Sequence, residues 1–352
     1  MVNGQRKRVR VCKQTPLPQA ASVTATIGLG TSLQGIAVSD DAVWVLSHDR
    51  RLFRIDPATN RVAATIPLPD SEWPEGQVLV ADGSIWVTVA SPDTDFHPEF
   101  DSVLRIDPLT NQVLARIHVG HSPMGMTSTP GALWVANHRS EYTATGGEVT
   151  GVYDVSRVDQ ATNLETGRVQ IENRQYSNGC CGPWPTTAAA GSVWVGDQNE
   201  DGHGFVIRLN PATSAVEARI SFAKSKATIG DDVVGDETAI WLVSDGSPYL
   251  TRIDPRTNRV VATVKTGEDT VDLTLGLGFL WVTTAQPLSP GALIRINPGT
   301  NKVVARTRIQ SAGAVAVGEG SLWVASGTKL LRMKPRPRRE ARDAARDEEA
   351  FG

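Results

Sequence analysis

The feature that most constrains the fold is a motif centred on tryptophan that occurs seven times. Each copy has an aliphatic residue before the tryptophan and Val or Leu after it, as in Leu322-Trp323-Val324. Seven of the nine tryptophans occupy this position. They are Trp44, Trp86, Trp134, Trp194, Trp241, Trp281 and Trp323. Successive copies are 40 to 60 residues apart, a period typical of β-propellers and solenoids.

A second motif follows each tryptophan and predicts a hairpin. Its first copy runs from Arg54 to Asn60 with the sequence Arg-Ile-Asp-Pro-Ala-Thr-Asn, and the last copy has decayed to Leu331-Arg332-Met333-Lys334-Pro335. The copies between them begin at Arg105, Arg157, Arg208, Arg252 and Arg295. Proline presets φ for a type I turn, and asparagine tolerates the left-handed conformation that leads into a bulge.

The two ends of the repeated region complement each other. Val23–Ile27 resembles Val62–Ile66, the β-branched segment that follows the first hairpin, whereas the last repeat has no such segment after Pro335. The N-terminal strand is therefore predicted to complete the last blade, which removes open sheet edges. We predict an all-β fold, a seven-bladed β-propeller of four-stranded antiparallel blades closed in this way. Residues 1–21 form an N-terminal arm, 22–334 the propeller, and 335–352 a charged, solvated tail.

Composition excludes several classes of function. The formal net charge of −3 gives no basic footprint for nucleic acid, and no apolar run is long enough to span a membrane. Residues 1–20 have no apolar core of a secretion signal, so we expect a cytoplasmic protein, or an exported one if the sequence is trimmed. Three cysteines make no disulfide framework. We expect a monomer.

Insertions are confined to two of the four connections in each repeat. The separation from tryptophan to the following motif arginine varies from 9 to 23 residues, and that from arginine to the next tryptophan varies from 28 to 37. The variable connections join the second strand to the third, and the outer strand to the next blade. Both emerge on one face of the disc, which we call the loop-rich face. Since loops on a rigid scaffold carry function, we expect this face to bind a small molecule or peptide.

Candidate site residues follow from this placement. His48 and His138 share a position four residues after tryptophan and are the candidate catalytic bases. The candidate ligand-binding residues are Trp73, His97, Tyr142, Trp184, Asp197, His203 and Asp231. Aromatic side chains beside polar groups are typical of ligand pockets. The alternatives are polar surface for the histidines and loop anchors for the tryptophans.

Two further groups leave their chemistry open. Asp231, Asp232 and Asp272 lie where inner strands begin, and carboxylates near the axis suit a hard cation or a basic ligand, although solvated turn residues are the alternative. Cys180 and Cys181 form either a vicinal disulfide or two reduced thiols. The pattern assigns no metal site and no cofactor.

The Leu-Trp-Val and Arg-Ile-Asp-Pro-x-Thr-Asn motifs resemble those of the YVTN-repeat β-propellers and, more distantly, virginiamycin B (streptogramin) lyase. The resemblance covers about residues 22–334 and implies the propeller fold. The superfamily includes lyases, oxidoreductase subunits, receptor ectodomains and binding modules. The lyase has a catalytic histidine where an inner strand begins. Ten residues before each repeat tryptophan, this chain has Gln34, Gly76, Met124, Trp184, Asp231, Val271 and Gly313. None is histidine, so the lyase mechanism does not carry over.

Three functional hypotheses result. The first is a binding propeller without a recognisable catalytic motif. The second is a lyase or hydrolase that uses His48 or His138 with rim carboxylates, with or without a divalent metal. The third is a platform for another protein.

Overall fold

A computed structural model describes residues 16–68, 76–90, 101–141, 149–176, 185–198, 204–222, 232–243, 247–286 and 289–337. These residues form seven sheets, each of four antiparallel strands, arranged as the blades of a β-propeller. The predicted fold class and blade number are therefore confirmed.

In blades one to six the strands follow chain order from the inner strand at the axis to the outer strand at the rim, and in blade seven β1 is the outer strand. Blade one comprises β2 (Leu33–Val38), β3 (Val43–Ser47), β4 (Arg51–Asp56) and β5 (Arg61–Pro67). Blade two comprises β6 (Val78–Ala81), β7 (Ser84–Val89), β8 (Ser102–Ile106) and β9 (Val113–His118). Blade three comprises β10 (Pro123–Thr129), β11 (Ala132–Glu141), β12 (Val149–Asp159) and β13 (Leu164–Tyr176). Blade four comprises β14 (Thr186–Ala189), β15 (Ser192–Gln198), β16 (Gly204–Leu209) and β17 (Val216–Ser221).

The remaining blades repeat the pattern. Blade five comprises β18 (Val233–Gly235), β19 (Ile240–Val243), β20 (Tyr249–Asp254) and β21 (Arg259–Lys265). Blade six comprises β22 (Asp269–Gly276), β23 (Phe279–Gln286), β24 (Ser289–Asn297) and β25 (Lys302–Ile309). Blade seven comprises β26 (Ala312–Gly318), β27 (Ser321–Ser326), β28 (Lys329–Pro335) and the N-terminal β1 (Ala21–Gly28).

The N-terminal strand closes the ring as predicted. β1 is the outer strand of blade seven and pairs with β28 from Ala21 opposite Pro335 to Gly28 opposite Lys329. Blade six also holds this segment, because the backbone N–H groups of Ala20 and Ala21 donate to Thr307 Oγ1 at 3.0 and 3.1 Å. The first and last parts of the propeller are thus tied together by backbone pairing and by a buried hydroxyl.

The repeat tryptophans form the contacts between blades. All seven side chains are fully buried, and each packs against the second strand of the next blade, as Trp323 does against Val43 and Val45. Six of the indole N–H groups donate to the residue five positions earlier, for example Trp194 to the carbonyl of Ala189 at 2.9 Å. The Nε1 of Trp241 has no such partner among the described residues. The motif therefore persists because it fills every interface between blades.

In four of the seven blades, counted over the described residues, the motif arginine donates to the hairpin of the next blade. Arg208 lies over the ring of Trp194 at 5.2 Å and donates to the carbonyl of Pro255 at 2.7 Å and to Asn258 Oδ1 at 3.1 Å. Asn258 has a φ of 54°, as the turn chemistry predicted. In the same hairpin the register of β20 against β21 shifts between Arg252 and Ile253, which marks a β-bulge. In these blades the two motifs together form the contacts between one blade and the next.

The strand order assigns the variable connections to one face. In every blade the antiparallel order brings the end of the second strand and the end of the outer strand to the same face of the disc. The insertions around Phe96, Tyr142 and Cys180 lie outside the described residues, but the strands that flank them end on the loop-rich face. Within the part of the chain that the structure describes, no helix has the length and hydropathy to cross a bilayer.

Candidate ligand-binding channel

A cavity of about 620 Å³ lies on the propeller axis. The inner strands of all seven blades, or the residues directly before them, contribute to its wall. His48, which directly follows β3 on the loop-rich face, also lines it. A ligand that enters from the loop-rich face would therefore meet side chains from every blade.

The wall is mostly apolar and carries few charges. Val78, Met126 and Leu273 are among its apolar residues, and its titratable residues are His48, Asp232 and Asp272. No lysine or arginine is present among the lining residues that the structure describes. The channel thus combines apolar walls with a few convergent polar groups, which is typical of small-molecule sites.

Asp232 and Asp272 form a pair of carboxyl groups in this wall. They occupy the same position in neighbouring blades, nine residues before Trp241 and Trp281, and their side chains are hydrogen-bonded to each other. Asp272 also accepts the backbone N–H of Leu273 at 2.7 Å and, across the blade boundary, that of Val315 at 2.6 Å. A hydrogen bond between two carboxyl groups needs one proton, so this pairing favours a singly protonated pair.

The surroundings favour that proton. Burial, then the charge of the neighbouring Asp272, raise the pKa of Asp232 well above its ordinary value. Burial also raises the pKa of Asp272, although the hydrogen bonds from Asp232 and from two backbone N–H groups act in the opposite direction. Both side chains are partly exposed to the channel while protein surrounds them. They are poorly hydrated and still accessible to a ligand.

Gln77 shows that a side chain can accept the inner-strand N–H of the next blade without being a carboxyl group. It occupies the equivalent position in blade two, nine residues before Trp86, and its Oε1 accepts the N–H of Met126 from blade three. A neutral amide therefore satisfies the inner-strand N–H that Asp272 satisfies at Val315. Two adjacent carboxyl groups cost desolvation and repulsion that two amides would avoid, so this hydrogen bond alone does not explain the acidic pair.

Because an amide avoids the cost of burying a second carboxyl group, Asp232→Asn is predicted to gain stability in a pH-dependent way. The raised pKa means that the folded chain keeps a proton that the unfolded chain loses above its ordinary pKa of 3.8. The stability of the wild type therefore falls as the pH rises from that value through the raised pKa. We expect Asp232→Asn to be more stable than wild type near neutral pH by about 1–2 kcal/mol. The advantage should shrink towards pH 4.

Urea denaturation at several pH values measures this effect. Asp269→Asn is the matched control, because Asp269 lies on β22, the strand of Asp272, but outside the channel wall. A variant that is destabilised equally at all pH values would show that Asp232 has only a structural role.

Two further oxygen atoms of the wall are buried and lack hydrogen-bond partners among the described residues. They are Oγ1 of Thr186 and Oε1 of Gln34. The Thr186 side chain is well enclosed, with 5% of the residue exposed. Since buried polar atoms are nearly always satisfied, we expect the partners of these two oxygens outside the described residues.

Two predicted site residues lie in strands instead of connections. His138 was expected in an insertion, but β11 continues to Glu141 and His138 pairs with Tyr153 of β12. Asp197 was also expected in an insertion, but it lies in β15, fully buried and opposite Phe205. Asp197 does not line the channel. In both cases the strand extends further than the turn signals indicated, because its backbone stays paired with the next strand of the blade.

The other predicted ligand-binding residues lie outside the described part of the chain. These are Trp73, His97, Tyr142, Trp184, His203 and Asp231. Cys180 and Cys181 also lie outside the described residues. Their roles stay predictions. Of the candidate catalytic and ligand-binding residues within the described chain, His48 lies on the channel wall, where it is exposed, together with the axial carboxyl groups of Asp232 and Asp272.

A second polar cluster lies between blades two and three and has a structural role. His121 Nδ1 contacts the carboxylate of Asp101, and both side chains are buried. Nearby, Asn137 donates to Asp154 at 2.7 Å and to Ser156 at 2.8 Å. The Asn137 hydrogen bonds join β11 to β12 within blade three, and the His121 contact joins the connection after β9 to Asp101 of blade two. Sequence reasoning missed Asp101, since it directly follows an insertion.

The pair Asp232 and Asp272 could be found from the sequence only in part. Both residues are predicted to lie where inner strands begin, but the residues compared between blades were those ten positions before each tryptophan, and the pair lies nine positions before. In blades one, three and six the position ten residues before tryptophan coincides with a β-bulge, at Gln34, Met124 and Val271. The identical residue at one position in two adjacent blades would have indicated the pair.

Comparisons with known proteins add no assignment. Neither a protein-family model nor a curated protein matches the chain. No group of three or more His, Cys, Asp or Glu side chains suited to a metal ion is present among the described residues.

Proposed function

We propose that this propeller binds a small ligand in its axial channel, reached from the loop-rich face. The observation that supports this most strongly is the 620 Å³ axial cavity whose wall carries the paired carboxyl groups of Asp232 and Asp272. The cavity volume is in the range of small-molecule sites. The unpartnered oxygens of Thr186 and Gln34 add groups that a ligand would satisfy.

The resemblance of the repeat motifs to the YVTN-repeat propellers is compatible with this function. Binding modules occur in that superfamily beside enzymes, so the resemblance supports the architecture more than any one activity. The channel mouth is also where the sequence analysis expected ligand recognition.

A second candidate function is acid–base catalysis by a lyase or hydrolase. The observation that favours it is the pairing of the Asp232 and Asp272 carboxyl groups, whose pKa values are both raised, because one protonated and one ionised carboxyl group can act as acid and base. His48 at the same mouth supplies a third titratable group. A screen of ester, amide and glycoside substrates, with Asp232→Asn as the comparison, tests this candidate. Turnover by the wild type that the variant loses would support it.

Filling the channel tests the binding function. Ala314 lies on the wall at the inner strand of blade seven, and Ala314→Phe should occupy space that a ligand needs. We expect compounds found to bind the wild type in a ligand-observed NMR screen to bind this variant at least tenfold more weakly. Ala63→Phe, on the exposed side of the outer strand β5, is the matched control. Equal binding by both variants would place the ligand site outside the channel.

A further inference from the structure

We propose that the channel ligand is a small organic cation with N–H donors, such as a primary ammonium or guanidinium group, held by Asp232, Asp272 and Thr186. This inference rests on the proposed binding function and adds the chemical class of the ligand. The three residues come from consecutive blades, four, five and six, so they line one side of the channel.

Charge is the first argument for a cation. The described wall has two carboxyl groups and no lysine or arginine. When both carboxyl groups are ionised, each faces a like charge in a poorly hydrated place, which is costly unless a positive charge lies between them. A proton shared by the two groups would relieve the repulsion. An ammonium group could take the place of that proton and donate hydrogen bonds to both carboxylates.

The unpartnered oxygens are an independent argument for N–H donors. Thr186 Oγ1 is buried without a partner among the described residues, and so is Gln34 Oε1 on the opposite part of the ring. A carboxylate and an amide oxygen only accept hydrogen bonds, and a hydroxyl oxygen can accept as well. A ligand with several N–H groups would supply the donors that these atoms lack.

The wall also discriminates between kinds of cation. Quaternary ammonium ligands are recognised mainly by the faces of aromatic rings, and the described wall contains no Phe, Tyr or Trp. Its partly exposed apolar residues, including Met124 and Val271, suit an aliphatic chain attached to the charged group. We therefore expect primary amines to bind better than their trimethylated analogues.

Titrations of the full-length chain with four compounds of equal chain length test the proposal. The compounds are n-butylammonium, butyltrimethylammonium, 1-butanol and butyrate, and binding is measured by isothermal titration calorimetry and ligand-observed NMR. We expect n-butylammonium to bind at least tenfold more tightly than the other three, because only it offers charge-assisted hydrogen bonds. Its affinity should fall as the pH is lowered, since protons compete for the carboxyl pair. In the described wall, His48 is the other titratable group.

Three variants assign the effect to residues. Asp272→Asn should weaken n-butylammonium binding about tenfold or more, and Thr186→Val should weaken it severalfold while preserving side-chain shape. Asp269→Asn makes the same charge change on β22 outside the wall and should leave affinity unchanged. The thermal midpoint of each variant shows that it is folded. Thr186→Val is the safer variant, because the lost hydroxyl has no partner among the described residues.

Different failures are distinguishable. If butyrate or butanol binds as well as n-butylammonium, and Ala314→Phe blocks all of them, the channel binds ligands but the cation class is wrong. If Mg²⁺ or Zn²⁺ binds through Asp272 and n-butylammonium does not, the proposal is also overturned. If no compound that binds is affected by Ala314→Phe, the proposed binding function itself fails.

Discussion

Deletion of residues 1–28 is expected to abolish cooperative folding. The deletion removes β1, which pairs with β28 over seven positions, and it exposes that strand as a new sheet edge. It also removes Ala20 and Ala21, which are fully buried and bonded to Thr307. We expect a loss above about 5 kcal/mol, comparable to the whole stability of many proteins. Thermal denaturation and size-exclusion chromatography should show a broad transition and aggregation.

Deletion of residues 1–15 is the matched control. It leaves β1 and the bonds of Ala20 and Ala21 in place, so the thermal transition should match that of the full chain. A synthetic peptide of residues 16–30 added to the longer deletion should restore a cooperative transition. If the chain lacking residues 1–28 melts like the full-length protein, ring closure by β1 does not hold the propeller together.

Replacement of Trp194 by alanine is expected to be the most damaging single substitution. The side chain is fully buried in the core cluster between blades four and five, together with Val206, Ile240 and Leu242. Its removal leaves a large cavity, and such replacements cost about 3–5 kcal/mol. Arg208 would also lose the ring over which it lies. The change in the free energy of unfolding can be measured by urea denaturation.

A comparison of two tryptophans separates packing from hydrogen bonding. Trp194 donates to the carbonyl of Ala189, whereas Trp241 is equally buried but its Nε1 has no partner among the described residues. Trp194→Phe removes side-chain volume and a hydrogen bond. Trp241→Phe removes a similar volume but also removes a buried donor that has no partner among the described residues. We expect Trp194→Phe to be more destabilising by about 1 kcal/mol. Equal effects would mean that the indole N–H contributes nothing at either position.

The fold could be predicted because its strongest determinants are local and repeated. Asn60 is an example, since the turn chemistry predicted a left-handed residue and its φ is 56°. The pairing of β1 with β28 was also predictable, because the missing outer strand of the last repeat was visible at the other end of the chain. These conclusions need only the order of motifs and not the positions of individual side chains.

The site was harder to predict because it depends on which side chains converge on the axis. A bulge at Val271 shifts the register of β22, so that Asp272 pairs with Thr283, and simple alternation does not predict such a shift. The strand lengths were also underestimated. His138 and His48 share a position after tryptophan, yet only His48 lies beyond the end of its strand.

The motif arginines show a similar limit. The repeat predicted that Arg157 would be equivalent to Arg208, but the hairpin of blade four has Ser214 where other blades have asparagine. Arg157 instead donates to Thr166 within its own blade at 2.9 Å. Arg54 also bonds within its own blade, to Asp41 at 2.8 Å, although blade two has Asn111. The motif therefore predicts the position of the arginine but not its partner.

A crystal structure of the full-length chain with n-butylammonium would test the central claim most directly. The account predicts the ligand nitrogen in the axial channel, within hydrogen-bond distance of carboxyl oxygens of both Asp232 and Asp272. Its aliphatic chain should lie along the apolar wall. An n-butylammonium ion bound only outside the channel, or carboxyl groups neutralised by a lysine or arginine of this chain, would contradict the account.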